Sequence, residues 1–198
     1  MKRNLTQLAN KKYDILIIGG GIYGASVARD AALRGLSVAL IERADFGQGA
    51  SGNNLKIVHG GLRYLQDGNL PLVRQMSRER QAWMRIAPHL IRPLPCLMPT
   101  NGRLKSNKWV MKTALTMTDL VSFDRNRGMS FTQYLPKSHL ISSQKCQDIL
   151  PGLAGNFVTG AAVWHDGQIL NSERLLLSVL QSAVVEGAQI ANYVEAID

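Results

Sequence analysis

The sequence predicts an α/β fold, and three features of its first 41 residues support that prediction. Ile15–Ile18 is an apolar run of a kind typical of a strand buried on both faces of a parallel sheet. The alanine-rich residues 25–34 favour a helix, and Gly35 is placed to end it. A second apolar run at residues 36–41 predicts a neighbouring strand. Strand, helix and strand in this order form a βαβ unit.

A glycine motif, G-x-G-x-x-G, lies between the first strand and the helix, with Gly19, Gly21 and Gly24 in its defining positions. These glycines allow a tight turn, a close approach of the backbone to a pyrophosphate, and close packing of helix on strand. Ile22 and Tyr23 begin the helix, whose N-terminal N–H groups and positive dipole favour a diphosphate.

Glu42 ends the second strand. Its distance from the motif is close to the roughly 20 residues at which an acid binds the adenosine ribose in such sites. The motif has a strand before it, a helix and a second strand after it, and a terminal acid. This context predicts a Rossmann-like dinucleotide-binding site; a purely structural turn is the alternative.

The composition limits the classes of function. With 198 residues and 45% hydrophobic content, the chain can form a sizeable core. A net charge of +9 suits nucleic acid, an anionic membrane surface, or an anionic substrate and cofactor, but no nucleic-acid motif accompanies it. Cys96 and Cys146 lack metal spacing and fit free thiols, so we expect no metal site. No signal peptide or membrane span is recognisable, which predicts a cytoplasmic location with peripheral contact to the inner membrane face left open.

Residues 47–61 contain many glycines and amide side chains, which favours an irregular loop. Ser51 and Lys56 can donate to phosphate, ribityl or ring oxygens. Gly60 and Gly61 would let a flat ring system lie directly against the backbone. The loop therefore suits a flavin dinucleotide, although its composition also fits a mobile surface loop.

Residues 55–65, LKIVHGGLRYL, form a far more specific string than the glycine motif. Together with residues 14–42 and the A-P-H-L segment at 87–90, the string closely resembles FAD-dependent glycerol-3-phosphate dehydrogenases of the D-amino-acid-oxidase-like superfamily. One departure is the loop before the lysine, which is rich in serine and threonine in the family and is Ser-Gly-Asn-Asn-Leu at residues 51–55 here.

The resemblance implies a glutathione-reductase-like FAD-binding domain joined to the start of an antiparallel-sheet substrate, or cap, domain. Residues 1–90 would form the FAD-binding part and residues 91–170 a partial cap. Residues 171–198 would return to the FAD-binding part. Because the chain stops at Asp198, where a strand should continue, we expect a truncated or partial sequence.

The resemblance also implies roles for single residues. Arg43, His59 and Val194 would contact FAD in addition to the residues named above. Arg63 would bind the substrate phosphate, since its planar fork matches that anion, and Tyr64 would form a hydrogen-bonding wall of the substrate site. An ion pair and a core ring are the structural alternatives for these two. His59 could act as a general base, but we favour a role in holding the loop or touching the cofactor, which leaves the base unknown.

The activity implied is oxidation of sn-glycerol 3-phosphate to dihydroxyacetone phosphate, with hydride transfer to FAD and electrons passed to a quinone. Three alternatives stay open: another superfamily oxidase acting on an amine or hydroxy acid, a non-catalytic truncated FAD-binding fragment, and a nicotinamide dehydrogenase.

Apolar periodicity and the positions of proline and glycine predict further helices and strands. Residues 69–87 predict a helix with an apolar stripe that includes Arg80, although its charged side chains, Arg80 among them, are expected to form a solvated face. Residues 94–98 predict an edge strand between prolines. Residues 109–123 predict a helix within the most basic stretch, 101–137, which can lie on an anionic bilayer or be an ordinary surface helix. The remaining predictions are a helix at 144–150, a strand at 156–165 ended by an Asp166-Gly167 turn, a helix from a Ser172 cap to 186, and a strand at 188–194.

Overall fold

A computed structural model describes residues 3–103, 106–153 and 158–197. The helices are α1 Leu5–Ala9, α2 Ile22–Leu33, α3 Leu70–Ile86, α4 Lys108–Val121, α5 Ser143–Ile149 and α6 Ser172–Val185. The strands are β1 Ile15–Ile18, β2 Val38–Glu42, β3 Ile57–Val58, β4 Ile91–Thr100, β5 His139–Ser142, β6 Gly160–Ile169 and β7 Gln189–Asn192.

The chain divides into two compact units. The first contains the described residues up to Lys56 together with those from Asn171 onward, and the second contains Ile57–Leu170. Packing therefore groups residues 57–90 with the second unit. Their role in cofactor binding is a separate matter and stays a prediction.

The first unit is the predicted βαβ arrangement with one further strand. Its sheet has the order β1-β2-β7, and both pairs are parallel. The alanine face of α2 is buried, and the Arg29 Nε donates to the Ser182 Oγ of α6 at 2.9 Å. Gly35 adopts the left-handed backbone, φ +82°, that ends a helix, as predicted. Small alanines at the buried positions let α2 lie close to its neighbours.

The second unit is an antiparallel sheet centred on β6. β4 pairs with β6 along all ten of its residues, while β3 and β5 share the opposite edge of β6. Met111 and Leu115 of α4 pack with Ala162 in one apolar cluster of this unit. Among the described residues, β4 pairs with β6 alone, so the edge strand predicted between the prolines is confirmed, with bounds wider than expected.

The turn predicted at Asp166-Gly167 is wrong, because β6 continues through both residues to Ile169. Gly167 marks a close approach of strands: a side chain there would meet Ile91 Cγ2 at 3.1 Å and the Val58 backbone oxygen at 3.4 Å. Glycine inside a strand commonly marks such a site. Residues 156 and 157 of the predicted strand lie outside the described residues.

Helix boundaries agree with prediction within a few residues. Asn69 caps α3 by accepting a hydrogen bond from the Leu72 N–H at 3.1 Å, and Pro71 lies in the first turn. The cap of α6 is Asn171 rather than Ser172; its Oδ1 accepts from the Arg174 N–H at 2.6 Å. None of the helices in the described ranges combines the length and the apolar character that crossing a bilayer requires.

Candidate cofactor-binding site

The glycine motif forms a tight turn between β1 and α2. Gly19 has φ +112°, a backbone conformation that side chains rarely adopt, and its N–H donates to the Ile41 carbonyl at 2.8 Å. A Cβ on Gly24 would overlap the Gly19 carbonyl oxygen and lie 3.3 Å from Ile17 Cγ2. Gly24 therefore lets α2 pack directly against the turn, which is the role predicted for the third glycine.

The N-terminus of α2 begins beside the loop that the sequence singled out. Gly21 is the N-cap, and it offers no side-chain cap. The Ile22 N–H donates instead to the Ser51 Oγ at 2.9 Å. Tyr23 is exposed, and its N–H and that of Gly24 lie in the first turn, where helix geometry provides no intrahelical acceptor. These two amides can therefore donate to an anion at the helix end.

Glu42 holds the turn as well as ending β2. Its Oε2 accepts from the Gly20 N–H at 2.7 Å, and its Oε1 accepts from the Ala44 N–H at 2.8 Å. Each carboxylate oxygen can accept a second hydrogen bond, so a ribose hydroxyl can bind in addition. The sequence predicts only ribose binding for Glu42. The structure adds the hydrogen bond from the Gly20 N–H, which fixes the glycine turn.

A cavity of about 290 Å³ opens at the carboxyl ends of β1 and β2. It is lined by Ile18, Gly19, Glu42, Arg43, Val194, Glu195 and Ala196. Four residues predicted for the cofactor thus meet at one place, and the Val194 N–H donates to the Glu42 carbonyl at 2.9 Å. Ligands of open α/β sheets bind at this end of the strands. The helix-end amides, the glycine turn and the cavity together fit the adenosine diphosphate portion of FAD.

Lys56 has the left-handed backbone, φ +55°, which is uncommon for a residue with a side chain. Its N–H donates to the Asn54 Oδ1 at 2.6 Å, so the preceding loop fixes this conformation.

In the second unit, the remaining predicted residues lie on one short segment after β3. Gly60 and Gly61 are buried, and Gly61 has φ +83°; His59 and Arg63 are exposed, and Tyr64 is half-buried. The His59 and Tyr64 rings are tilted, with centroids 6.1 Å apart. A side chain on Gly61 would lie 3.0 Å from Met76 Cβ. The turn thus packs on α3, and the polar side chains on either side of it reach solvent.

A buried ion pair fixes this turn. Asp166 Oδ1 accepts from the Gly60 N–H at 2.7 Å and from Arg80 Nη1 at 2.6 Å. Arg80 Nη1 also donates to the His165 carbonyl at 2.8 Å, and Trp164 Nε1 donates to Asp166 Oδ2 at 3.0 Å. Arg80 is 4% exposed. Burial lowers the pKa of its guanidinium, while the charge of Asp166 opposes that change.

Sequence reasoning missed Arg80 and Asp166. The expectation that the charges of α3 form a solvated face is wrong for Arg80, which shares the buried stripe of Val73, Ser77 and Met84. Their spacing of four, three and four residues is that of one helix face, and this was the signal available for finding a buried arginine. Asp166 was assigned to a turn because it precedes a glycine, and Asp-Gly is a common turn pair.

A small cavity of about 20 Å³ adjoins the ion pair and has room for about one water molecule. Its lining includes Gly60, Arg80 and Asp166. Arg80 Nε and His165 Nδ1 are buried and have no hydrogen-bond partner among the described residues. Across the same ranges, no three His, Cys, Asp or Glu side chains are grouped as a metal would require.

Residues 14–198 match the family of FAD dependent oxidoreductases (DAO), and the chain belongs to that family. The cofactor of this class is FAD, as predicted from the glycine motif and the loop after it. The predicted fold, an FAD-binding α/β part with the start of an antiparallel sheet, is also confirmed.

The chain is similar to glycerol-3-phosphate dehydrogenase from Synechocystis, with 38% identity over 97% of this chain and 33% of that protein. It is 35% identical to the human mitochondrial glycerol-3-phosphate dehydrogenase over 98% of this chain and 26% of that protein. The resemblance stated from the string at 55–65 is therefore confirmed. The chain spans about a quarter to a third of the length of these relatives.

Solved structures show the same fold. Glycerol-3-phosphate dehydrogenase from Bacillus halodurans, complexed with FAD, superposes with a TM-score of 0.64 at 24% identity, over 96% of this chain and 28% of that one. L-α-glycerophosphate oxidase from Mycoplasma pneumoniae, with FAD bound, gives a TM-score of 0.62 at 15% identity, over 92% of this chain and 45% of that one.

Proposed function

We propose that this chain supplies the cofactor-binding part of an enzyme that oxidises sn-glycerol 3-phosphate to dihydroxyacetone phosphate and passes the electrons to a quinone. The observation that carries the proposal is the 38% identity to a glycerol-3-phosphate dehydrogenase over nearly the whole chain. The exposed Arg63 and the polar residues around the Gly60–Gly61 turn support a site for an anionic alcohol.

The first unit would bind the adenosine diphosphate portion of FAD. The Tyr23 and Gly24 N–H groups would donate to the diphosphate, and the dipole of α2 favours that negative charge. Glu42 would accept a ribose hydroxyl while keeping its bond to the Gly20 N–H. Val194, on the same cavity, would border the adenine.

The second unit would present its glycine turn to the flavin and Arg63 to the substrate. FAD, when bound, supplies the acceptor for the hydride that leaves the alcohol carbon. The Arg63 guanidinium would bind the phosphate in a bidentate manner and so hold the carbon in place. The tilted contact between His59 and Tyr64 supports a role for His59 in shaping the site.

The test uses the full-length protein that carries this chain. We expect a yellow protein whose flavin is bleached by sn-glycerol 3-phosphate without oxygen and which reduces a dye or a short-chain quinone. Amino acids and simple 2-hydroxy acids should not bleach it. A flavin that stays oxidised with glycerol 3-phosphate but is bleached by an amine or hydroxy acid would contradict the proposed substrate.

Arg63→Lys sharpens this test. Because lysine lacks the planar fork, the KM for glycerol 3-phosphate should rise by roughly tenfold or more. Arg78→Lys is the matched control, since Arg78 is an exposed arginine of the same unit. Equal KM values in the two variants would remove Arg63 from the phosphate site.

The exposed face of α4 supports a further part of the proposal, contact with an anionic membrane surface. Trp109 and Leu120 are each 68% exposed and lie eleven residues apart, about three helical turns, so they share one face. Lys112 places its ammonium over the Trp109 ring at 5.5 Å. Met111 and Leu115 cover the buried face instead. Exposed aromatic and apolar groups with lysine among them are typical of helices that lie on anionic lipid.

Vesicle binding tests this contact. The full-length protein should bind vesicles containing phosphatidylglycerol, and salt should weaken the binding. Trp109→Ala with Leu120→Ala should weaken it by roughly tenfold or more, because two large apolar side chains no longer leave water. Val185→Ala removes a similarly exposed apolar residue from α6 and should change nothing. Unchanged binding of the double variant would exclude α4 as the contact.

A further inference from the structure

We propose that Arg80 and Asp166 are positioning residues, which hold the Gly60–Gly61 turn in the shape that the flavin requires. Neither side chain needs to touch the cofactor, because both act through the backbone of Gly60. The inference deepens the proposed function and rests on it in one respect, since it takes this turn to face the flavin ring.

The first support is the bond from the turn to β6. The Gly60 N–H donates to Asp166 Oδ1 at 2.7 Å, and the two residues are 106 positions apart in the chain. A backbone amide bonded to a buried carboxylate cannot rotate without losing a charge-assisted hydrogen bond. The peptide plane before Gly60 is therefore fixed by β6, which carries Asp166.

The carboxylate itself is fixed from several directions. Arg80 Nη1 and the Gly60 N–H share its Oδ1, and Trp164 Nε1 donates to its Oδ2. The second bond of Arg80 Nη1, to the His165 carbonyl, ties the arginine to the same strand. The Cys96 Sγ also lies 4.0 Å from Oδ2. Together these donors leave the carboxylate a single orientation, which sets where the Gly60 amide can lie.

Close packing provides the second support. A Cβ on Gly60 would lie 2.6 Å from Arg80 Cζ, so the guanidinium lies against the glycine where any side chain would be. A Cβ on Gly61 would lie 3.0 Å from Met76 Cβ and 3.3 Å from Val73 Cα, both on α3. The turn is therefore confined by α3 and by the arginine that α3 carries. A shift of the turn would require the buried ion pair to move with it.

A role in stability alone would not require this pair. Replacing a buried ion pair by apolar residues of similar volume is often neutral or stabilising. An apolar pair, however, offers no acceptor for the Gly60 N–H. The carboxylate supplies that acceptor, and the arginine compensates the charge in a site where Asp166 is 7% exposed. The ion pair thus has a function that hydrophobic packing cannot replace.

The experiment compares Asp166→Asn with Asp124→Asn in the full-length FAD-bound protein. Asp124 pairs with Arg74, which is also on α3. The atoms nearest to a Cβ on Gly60 or Gly61 belong to Arg80, Met76 and Val73 instead. Two readouts are the absorption maxima of the bound flavin and the hydrogen-exchange rate of the Gly60 amide, measured with and without FAD. We expect Asp166→Asn to shift the flavin maxima and to speed Gly60 exchange by roughly tenfold or more, since asparagine keeps an oxygen acceptor but lacks the charge that strengthens this hydrogen bond. Asp124→Asn should do neither.

Arg80→Lys is the second variant, and it tests the positioning role of the ion pair if Asp166→Asn does not fold. Lysine keeps the charge but cannot fill the space over Gly60, so the same shift in flavin maxima is expected. Flavin maxima and a Gly60 exchange rate equal to those of the unaltered protein would overturn the inference. Failure of the unaltered protein to oxidise glycerol 3-phosphate would contradict only the proposed substrate, because both readouts stand without turnover.

Discussion

Two glycine turns, one in each unit, are held in the same way by different carboxylates. In the first unit, Glu42 accepts from the Gly20 N–H at 2.7 Å; in the second, Asp166 accepts from the Gly60 N–H at the same distance. The partners are 22 residues apart in one case and 106 in the other. Glu42 is half-buried and its other oxygen bonds a further amide, whereas Asp166 is buried against Arg80.

The difference shows how the surroundings determine what a turn needs. At the end of a parallel sheet, the helix dipole and exposed amides are enough to stabilise the charge of a carboxylate, and solvent also reaches it. Inside the antiparallel unit, the same acceptor has to leave water, and a charge that leaves water requires a partner. Arg80 therefore accompanies Asp166, while Glu42 has no cation at salt-bridge distance among the described residues.

The largest expected effect is on stability. Asp166→Ala leaves the Arg80 guanidinium buried without its partner, so the free energy of unfolding should fall by about 3–5 kcal/mol. Glu42→Ala removes two hydrogen bonds at a half-buried site, and its loss should be about 1–2 kcal/mol. Urea denaturation of both variants measures the two losses. Equal losses would show that the two carboxylates are equivalent and that the pairing with Arg80 contributes nothing.

The same contrast explains what the sequence could predict. The turn at Gly19–Gly24, its helix and the acid at Glu42 all lie within one βαβ unit, so spacing along the chain determined their positions. The Gly60 turn was recognised from its motif, but its partner comes from a strand more than a hundred residues later. A single sequence records no such pairing. Periodicity did place Arg80 on the apolar stripe of α3, which in the structure includes Val73, Ser77 and Met84. The error was to assign its charge to the solvated face.

The next largest effect is expected at Gly24, and it tests whether close packing, in addition to hydrogen bonds, fixes the turn between β1 and α2. Gly24→Ala would drive a Cβ into the Gly19 carbonyl oxygen, so the unfolding free energy should fall by about 1–3 kcal/mol and FAD retention should drop. Gly49→Ala is the control, because nothing lies within 4 Å of a Cβ there and its φ is not positive. Thermal denaturation and the flavin content after gel filtration give both quantities. Full FAD retention by Gly24→Ala would contradict the close approach.

The smallest effect concerns the pH dependence of the second unit. Burial lowers the pKa of His165 below its ordinary value, and the positive charges of His139, Arg80 and Arg125 lower it further, against an opposing effect of Asp166. The unfolded chain therefore binds a proton at a higher pH than the folded one. Stability must fall as the pH drops through about 6.5, the unfolded value, and must level off below the folded pKa.

His165→Gln removes this titration while keeping a polar side chain. Between pH values of about 7.5 and 5.5, its unfolding free energy should decline less than that of the unaltered protein, and each unit of pKa difference corresponds to about 1.4 kcal/mol. His89→Gln, at an exposed position of the same unit, should follow the unaltered protein. Hydrogen bonds lower the pKa values of four aspartates and one glutamate, namely Asp14, Asp30, Asp45, Asp124 and Glu173. These groups lose their contribution only at lower pH, so they do not obscure this window. Parallel pH profiles of His165→Gln and the unaltered protein would show that the imidazole beside the ion pair is solvated. The contrast with Glu42 assumes that Asp166 is out of contact with water. A solvated His165 would contradict that assumption, because the same water would reach Asp166.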